Sequence, residues 1–211
     1  MTKESMTVHQ ALCELKVADK RIKKLIDETY CYTRKAKETK VSGRPVEEVE
    51  DEIKANYQKF VDLTNRVNAI KAALSDSNAK TVITVAGKQM TVAEAIYLNN
   101  YGVRNKKDFV ATIMAELSVC QDKVDEANEK LEARCDKAVA DMYGTDGAKK
   151  NSKEAEEYRN TFYNQNAQVL VDPIGIMAVA KKIQEEIDEF ESTVDAAIQM
   201  SNATTTIEIE Y

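Results

Sequence analysis

"MTVAEAI" at Met90–Ile96 opens the longest patterned run in the chain, and it repeats "MTVHQAL" at Met6–Leu12 with four of seven letters unchanged. In each copy a Thr is followed three residues later by Glu94 or Gln10. That is the spacing of a capping box. The Thr hydroxyl accepts from the third amide of a helix, and the third side chain reaches back to the Thr amide. Met90 and Met6 stand just before, where an apolar side chain staples against the first turn. Both stretches are therefore predicted to start helices. The likeness ends directly afterwards, at "YLNNYGVR" against "CELKVADK". The repeat accordingly reads as one helix start used twice, not as a duplicated domain.

Working outward from Thr91, the residues Ile113, Leu117, Cys120, Val124, Ala127, Leu131 and Ala138 follow steps of three and four, with Arg134 taking one slot. Continued backwards, the same phase meets Val110, Lys106, Val103, Asn99, Ile96 and Val92. This predicts one helix from Thr91 to about Met142, interrupted at most by a kink at Gly102, where glycine costs about 1 kcal/mol relative to Ala. Such a helix is roughly 75 Å long, a length suited to a coiled coil. Part of its seam, with Val124, Leu131 and Val139, is expected to stay uncovered in a single chain. Asn99 has two readings: a polar seam residue that sets register, or a solvated kink beside Gly102.

The flanking segments fit around this rod. An amphipathic helix is predicted from Thr7 to about Glu38, along Val8, Leu12, Leu15, Ala18, Ile22 and Leu25. "TKVSGRP" breaks it, and a second helix runs from Val46 until "SDSN" ends it near Leu74, antiparallel to the first across a short loop. "TVITVAGKQM" predicts a hairpin, Thr81–Val85 with Lys88–Met90. The polar stretch 143–168 reads as an insertion, a loop with one short helix near Lys153–Phe162. After Asp172–Pro173 a last helix places Ile176, Ile183, Ile187, Phe190 and Val194 on one face. "TTTIEIEY" alternates as a strand does and is expected to pair with the hairpin. The predicted fold class is mainly α: long antiparallel helices packed as a coiled-coil bundle, with a small β-hairpin and a C-terminal strand. Residues 1–211 are expected to form a single elongated helical domain.

Composition narrows the function. Six Gly and two Pro among 211 residues, with 31% charged residues, suit long helices. A net charge of −6 without an evident basic patch argues against nucleic-acid partners. No apolar run approaches the roughly 20 residues of a membrane span, and the start lacks a signal peptide, so a cytoplasmic protein without membrane partners is expected. Cys13, Cys31, Cys120 and Cys135 are scattered and read as reduced thiols. The carboxylate runs Glu47–Glu48, Glu50-Asp51-Glu52 and Glu185–Glu186 lie opposite the apolar faces and read as solvated surface. His9 is the one histidine and sits inside a cap, so no nucleophile–base pair is expected elsewhere. The expectation is a non-enzymatic protein with no catalytic, cofactor-binding or metal-ligating residues.

Several segments, taken in order, carry a resemblance. They are "ALCELKVADKRIKKL" (11–25), "LTNRVNAI" (63–70), a hairpin, "GKQMTVAEAI" (87–96), the heptad helix, "AKKIQEEIDEFESTVDAAIQMSN" (180–202) after Asp172, and a Thr-rich terminal strand. Together they resemble the septicolysin-like group of small bacterial and phage-borne helical proteins over most of the chain. The stretch 143–168 departs from that pattern. The resemblance implies an oligomeric helical protein and brings no catalytic residues with it. The function expected is that of a self-associating structural or assembly protein and phage virion component, found in the cytoplasm or the virion. Its expected partners are further copies of itself and other virion or assembly proteins. Two rival readings stand beside it: a membrane-active cytolysin, which needs a concealed apolar element, and an enzyme whose site forms between subunits.

Overall fold

Both predicted capping boxes are present in the computed structural model, which describes residues 2–149 and 153–211. Thr7 and Thr91 each accept from the third amide of the helix that follows, at 3.1 Å, while Gln10 and Glu94 reach back to the Thr amides. The elements in chain order are β1 (Lys3–Thr7), α1 (Val8–Ile26), β2 (Lys40–Val41), β3 (Arg44–Pro45), α2 (Val46–Lys80), β4 (Val82–Val85) and β5 (Lys88–Thr91). There follow α3 (Val92–Tyr97), a π-turn (Leu98–Gly102), α4 (Val103–Lys149), α5 (Lys153–Asn166), α6 (Ile176–Thr204) and β6 (Thr206–Glu210). The protein is mainly α-helical. Its chain divides into two compact units, one of residues 1–101 with 189–211 and one of residues 102–188.

In the first unit a core of Met6, Val8, Ala11, Ile70, Leu74, Ile207 and Ile209 joins α1 and α2 to a strand pair. That pair is β1 with β6, not β6 with the hairpin as the alternation of "TTTIEIEY" had suggested. The partner strand was invisible in sequence because only Met6 of "KESMT" is buried, too little for a period-two signal. The hairpin β4–β5 turns on Ala86–Gly87, both at positive φ (49° and 70°). Such a two-residue turn matches the right-handed twist of its strands. The short β2–β3 pair turns in the same way on Ser42–Gly43.

Helix boundaries moved where local chemistry decides them. α1 ends at Ile26 and does not continue to Glu38. Asp27 caps it, the Tyr30 hydroxyl donates to the Leu25 carbonyl at 2.6 Å, and "TYCYT" beyond is poor helix former. α2 instead runs through "SDSN" to Lys80, since buried Leu74 anchors its final turns. The expected kink at Gly102 is the π-turn, a recognised way of bending a helix.

The repeated heptapeptide proves to be part of a larger repeat. "SNAKTVIT" (77–84) and "SNATTTIE" (201–208) share five of eight letters, and each carries a helix into a strand. Thr81 and Thr205 donate their amides to Ser77 and Ser201 carbonyls, both at 2.8 Å. The amides of Val92 and Val8, which begin the following helices, reach Thr81 and Thr205 carbonyls, both at 2.9 Å. The strand registers agree as well: Ile83 opposes Met90 and Val85 opposes Lys88, as Ile207 opposes Met6 and Ile209 opposes Glu4. One helix–strand–strand–helix unit thus occurs twice in the first unit. In one copy the chain turns at Ala86–Gly87; in the other the two strands are the first and last of the sequence. The reading of the heptapeptide as a bare helix start is overturned, because its matching half lies at the far end of the chain.

The second unit centres on α4. Leu131, Cys135 and Val139, one turn apart, are buried at 2%, 0% and 6% exposure. Leu131 and Val139, with Val124, were expected to await another chain; Val124 is half-buried, and α5 lies along α4 and covers the region of Leu131 and Val139. The α5 face includes buried Ala155 and half-buried Tyr158 and Phe162, and Tyr143 meets Tyr158 edge-on. Arg159 of α5 ties the two helices by pairing with Glu132 and Asp136 of α4. The polar stretch 143–168 therefore holds a covering helix, four residues longer than predicted.

Candidate functional site

The structure places each residue that the sequence offered for chemistry. His9 is exposed, its ring Nε2 lying 3.7 Å from the Cys13 Sγ one turn on. Cys31 and Cys120 are exposed, Cys135 is buried, and none of the four is in a disulfide. Among the described residues no three His, Cys, Asp or Glu side chains come together as a metal site. Glu48 and Glu52 are held by Arg44, and the Arg44 guanidinium is driven above its ordinary pKa by hydrogen bonds to Glu52 and then Glu48. Asn99 lies exposed in the π-turn, 3.5 Å from Asp195. It belongs to the bend and is not a buried seam position. Among the described residues no helix is long and apolar enough to cross a membrane.

A polar network that the sequence did not announce sits in the first unit. Arg66, on α2, donates from Nη2 to Glu14 at 2.9 Å and from Nη1 to Glu4 at 2.7 Å, and also to the Tyr211 hydroxyl. The Tyr211 ring lies 4.9 Å from the guanidinium carbon, within cation–π range. Hydrogen bonds to Glu14 and then Glu4 raise the Arg66 pKa, while the bond from Arg66 holds Glu4 below the usual carboxylate range. One guanidinium so ties α1, α2, β1 and the residue after β6. Its partners are far away in sequence; the available hint was an arginine beside core-facing Val67.

Close to it, the segment Lys20–Lys40 holds eight cations against three carboxylates. The overall charge of −6 conceals this local excess, which did not stand out in the sequence.

In the second unit, residues 167–175 form an irregular connection into α6 that is pinned at both ends. Asn128 of α4 donates to the Gln168 carbonyl at 3.0 Å and accepts the Gln168 amide at 2.9 Å. The Asp172 carboxylate accepts the amides of Gly175 and Ile176, at 2.9 and 2.8 Å, and caps the start of α6. Between and beside these ties stand Val169, Val171, Ile174 and Met177, exposed at 73%, 84%, 58% and 61%. Among the described residues the backbone of Val169 and Val171 makes no hydrogen bond within the chain. Isolated exposed apolar residues are ordinary; here four stand close together in sequence on one held segment.

No family model, no curated protein and no solved structure matches the chain.

Proposed function

We propose that the protein is a non-enzymatic, self-associating helical component of a larger assembly, and that residues Val169–Met177 are where one copy meets another. The observation that carries this reading is the pinned apolar segment. Its side chains face water although Asn128 and Asp172 hold its ends. Ordering has thus been achieved within the fold, and association then loses little further conformational entropy. "VLV" also has the β-branched character and unpaired backbone of an edge that pairs readily with a like segment. Burying each large apolar side chain contributes about 1.5–3 kcal/mol relative to exposure. A phage particle is the setting proposed for this assembly, on the strength of the sequence resemblance, and neighbouring capsid or tail genes would support it.

The experiment is sedimentation or light scattering at micromolar concentration. The wild-type chain is expected to form a dimer or larger species, and Val169→Glu with Val171→Glu to return it to monomer. Both positions are exposed, so the variant keeps its fold. A wild-type monomer throughout the range, or association indifferent to the two glutamates, removes the reading.

A further inference from the structure

We infer that the groove between α1 and α2 is a binding site for an anionic amphiphile, a small molecule with a carboxylate or phosphate head on an apolar body. The groove encloses about 590 Å³, within the range of small-molecule sites. Leu25 of α1 and Leu63 of α2 supply its apolar surface, and Tyr211 stands in its wall beside Arg66. Arg21, Lys24 and Lys59 bring positive charge to it. Arg66 is already engaged by Glu14 and Glu4, and Lys59 leans on Asn56 at 3.4 Å. Arg21 and Lys24 have no carboxylate partner among the described residues and remain available. Two acids also line the groove, Glu28 and Asp62, and Asp62 accepts from Gln58 at 2.7 Å. Cations therefore outnumber carboxylates in the lining. The basic segment Lys20–Lys40 extends the same sign of charge along the chain.

The internal repeat supplies a comparison within the same molecule. Counting from α1 into the start of α4, the π-turn inserts one residue: buried Ala11 corresponds to Ala95 before it, and buried Ala18 to Val103 after it. Lys24 then corresponds to Phe109, and along α2 and α6 Lys59 and Arg66 correspond to Ile183 and Phe190. The apolar positions stay apolar, Leu25 as Val110 and Leu63 as Ile187. Arg21 and Asp62 become Lys106 and Glu186, which pair at 2.6 Å. Ile187 and Phe190 are buried, Ile183 is half-buried and Phe109 is exposed at 49%. The scaffold thus accepts a buried phenylalanine at the position that Arg66 holds. In the first copy Lys24, Lys59 and Arg66 stand where the other has Phe109, Ile183 and Phe190, and all three line the open groove. A groove lined by two leucines and by more cations than carboxylates suits an anion that carries hydrocarbon better than a bare anion or a neutral lipid.

The test is calorimetric titration of the intact chain with octyl phosphate and with octanoate, each kept below its micelle-forming range. Inorganic phosphate and octanol serve as the headgroup-only and tail-only controls. Saturable one-to-one binding of at least one amphiphile is expected, and which one binds identifies the head group. Arg21→Glu with Lys24→Glu, both exposed, should weaken it about tenfold or more, as loss of charge-assisted contacts implies. A charge-matched control in the second unit, Arg134→Glu with Lys137→Glu, should leave it unchanged. The inference is overturned by any of four results: no saturable binding of either amphiphile, equal binding of inorganic phosphate or octanol, indifference to the Arg21 and Lys24 changes, or equal weakening by the control.

Discussion

Thr7 and Thr91 perform the same task at two helix starts, and each does it with a single hydroxyl aimed at an otherwise unpaired amide. Thr7→Ala and Thr91→Ala are each expected to cost about 0.5–2 kcal/mol, read as a lowered midpoint in equilibrium denaturation, with Ser at either site restoring most of it. No loss at both sites would mean that strand pairing alone fixes these helix starts. At Thr91 the cap also acts on Glu94, whose carboxyl is held below its ordinary range by the Thr91 amide and then by the Thr91 hydroxyl. Interactions of this kind were legible in sequence because donor and acceptor lie three residues apart. Arg66 was not, because its partners Glu14, Glu4 and Tyr211 lie 52, 62 and 145 positions away. Nothing local in "TNRVN" signals them.

At the scale of elements, periodicity identified apolar faces but not what covers them. Leu131 is the clear case. Its place on the α4 seam was readable, yet the covering helix α5 is polar and brings only a few apolar contacts, so the stretch containing it looked like an insertion. Leu131→Ala should therefore destabilise the second unit by about 2–5 kcal/mol, the usual range for truncating a buried Leu. On the proposal that Val169–Met177 is the meeting surface, the same variant should leave self-association intact in light scattering under native conditions. If it dissociated the assembly without lowering stability, Leu131 would have to lie between chains, and the cover provided by α5 would lose its meaning. The hairpin and last helix were legible for the opposite reason: Ala86–Gly87 and Asp172–Pro173 announce their own boundaries. β1 was not, since one buried Met6 makes no pattern. The charged groove between α1 and α2 escaped notice too, because its two walls lie some thirty to forty residues apart and the overall negative charge masked the local positive one.

For the whole molecule, the repeat makes a demand on connectivity. Residues 2 and 211 already form a hydrogen-bonded pair, Thr2 amide to Tyr211 carbonyl at 2.9 Å and Tyr211 amide to Thr2 carbonyl at 3.3 Å. They occupy the same end of their strand pair as Ala86–Gly87 does of its own, with matching register behind them. A chain in which Asn-Gly joins Tyr211 to Thr2, opened between Ala86 and Gly87, exchanges one two-residue hairpin turn for another. Asn-Gly suits the positive φ values such a turn requires, and the entropy of closing a loop this short is nearly the same on both sides of the exchange. The permuted chain is expected to fold, with helical circular dichroism like the parent's and a denaturation midpoint close to it. A companion opened at the same bond without the new link should be less stable than the permuted chain, because both strand pairs then depend on free ends. If the permuted chain failed to fold while its parent did, the two strand pairs would not be equivalent. The likeness of "MTVHQAL" to "MTVAEAI" would then shrink back to a shared helix cap.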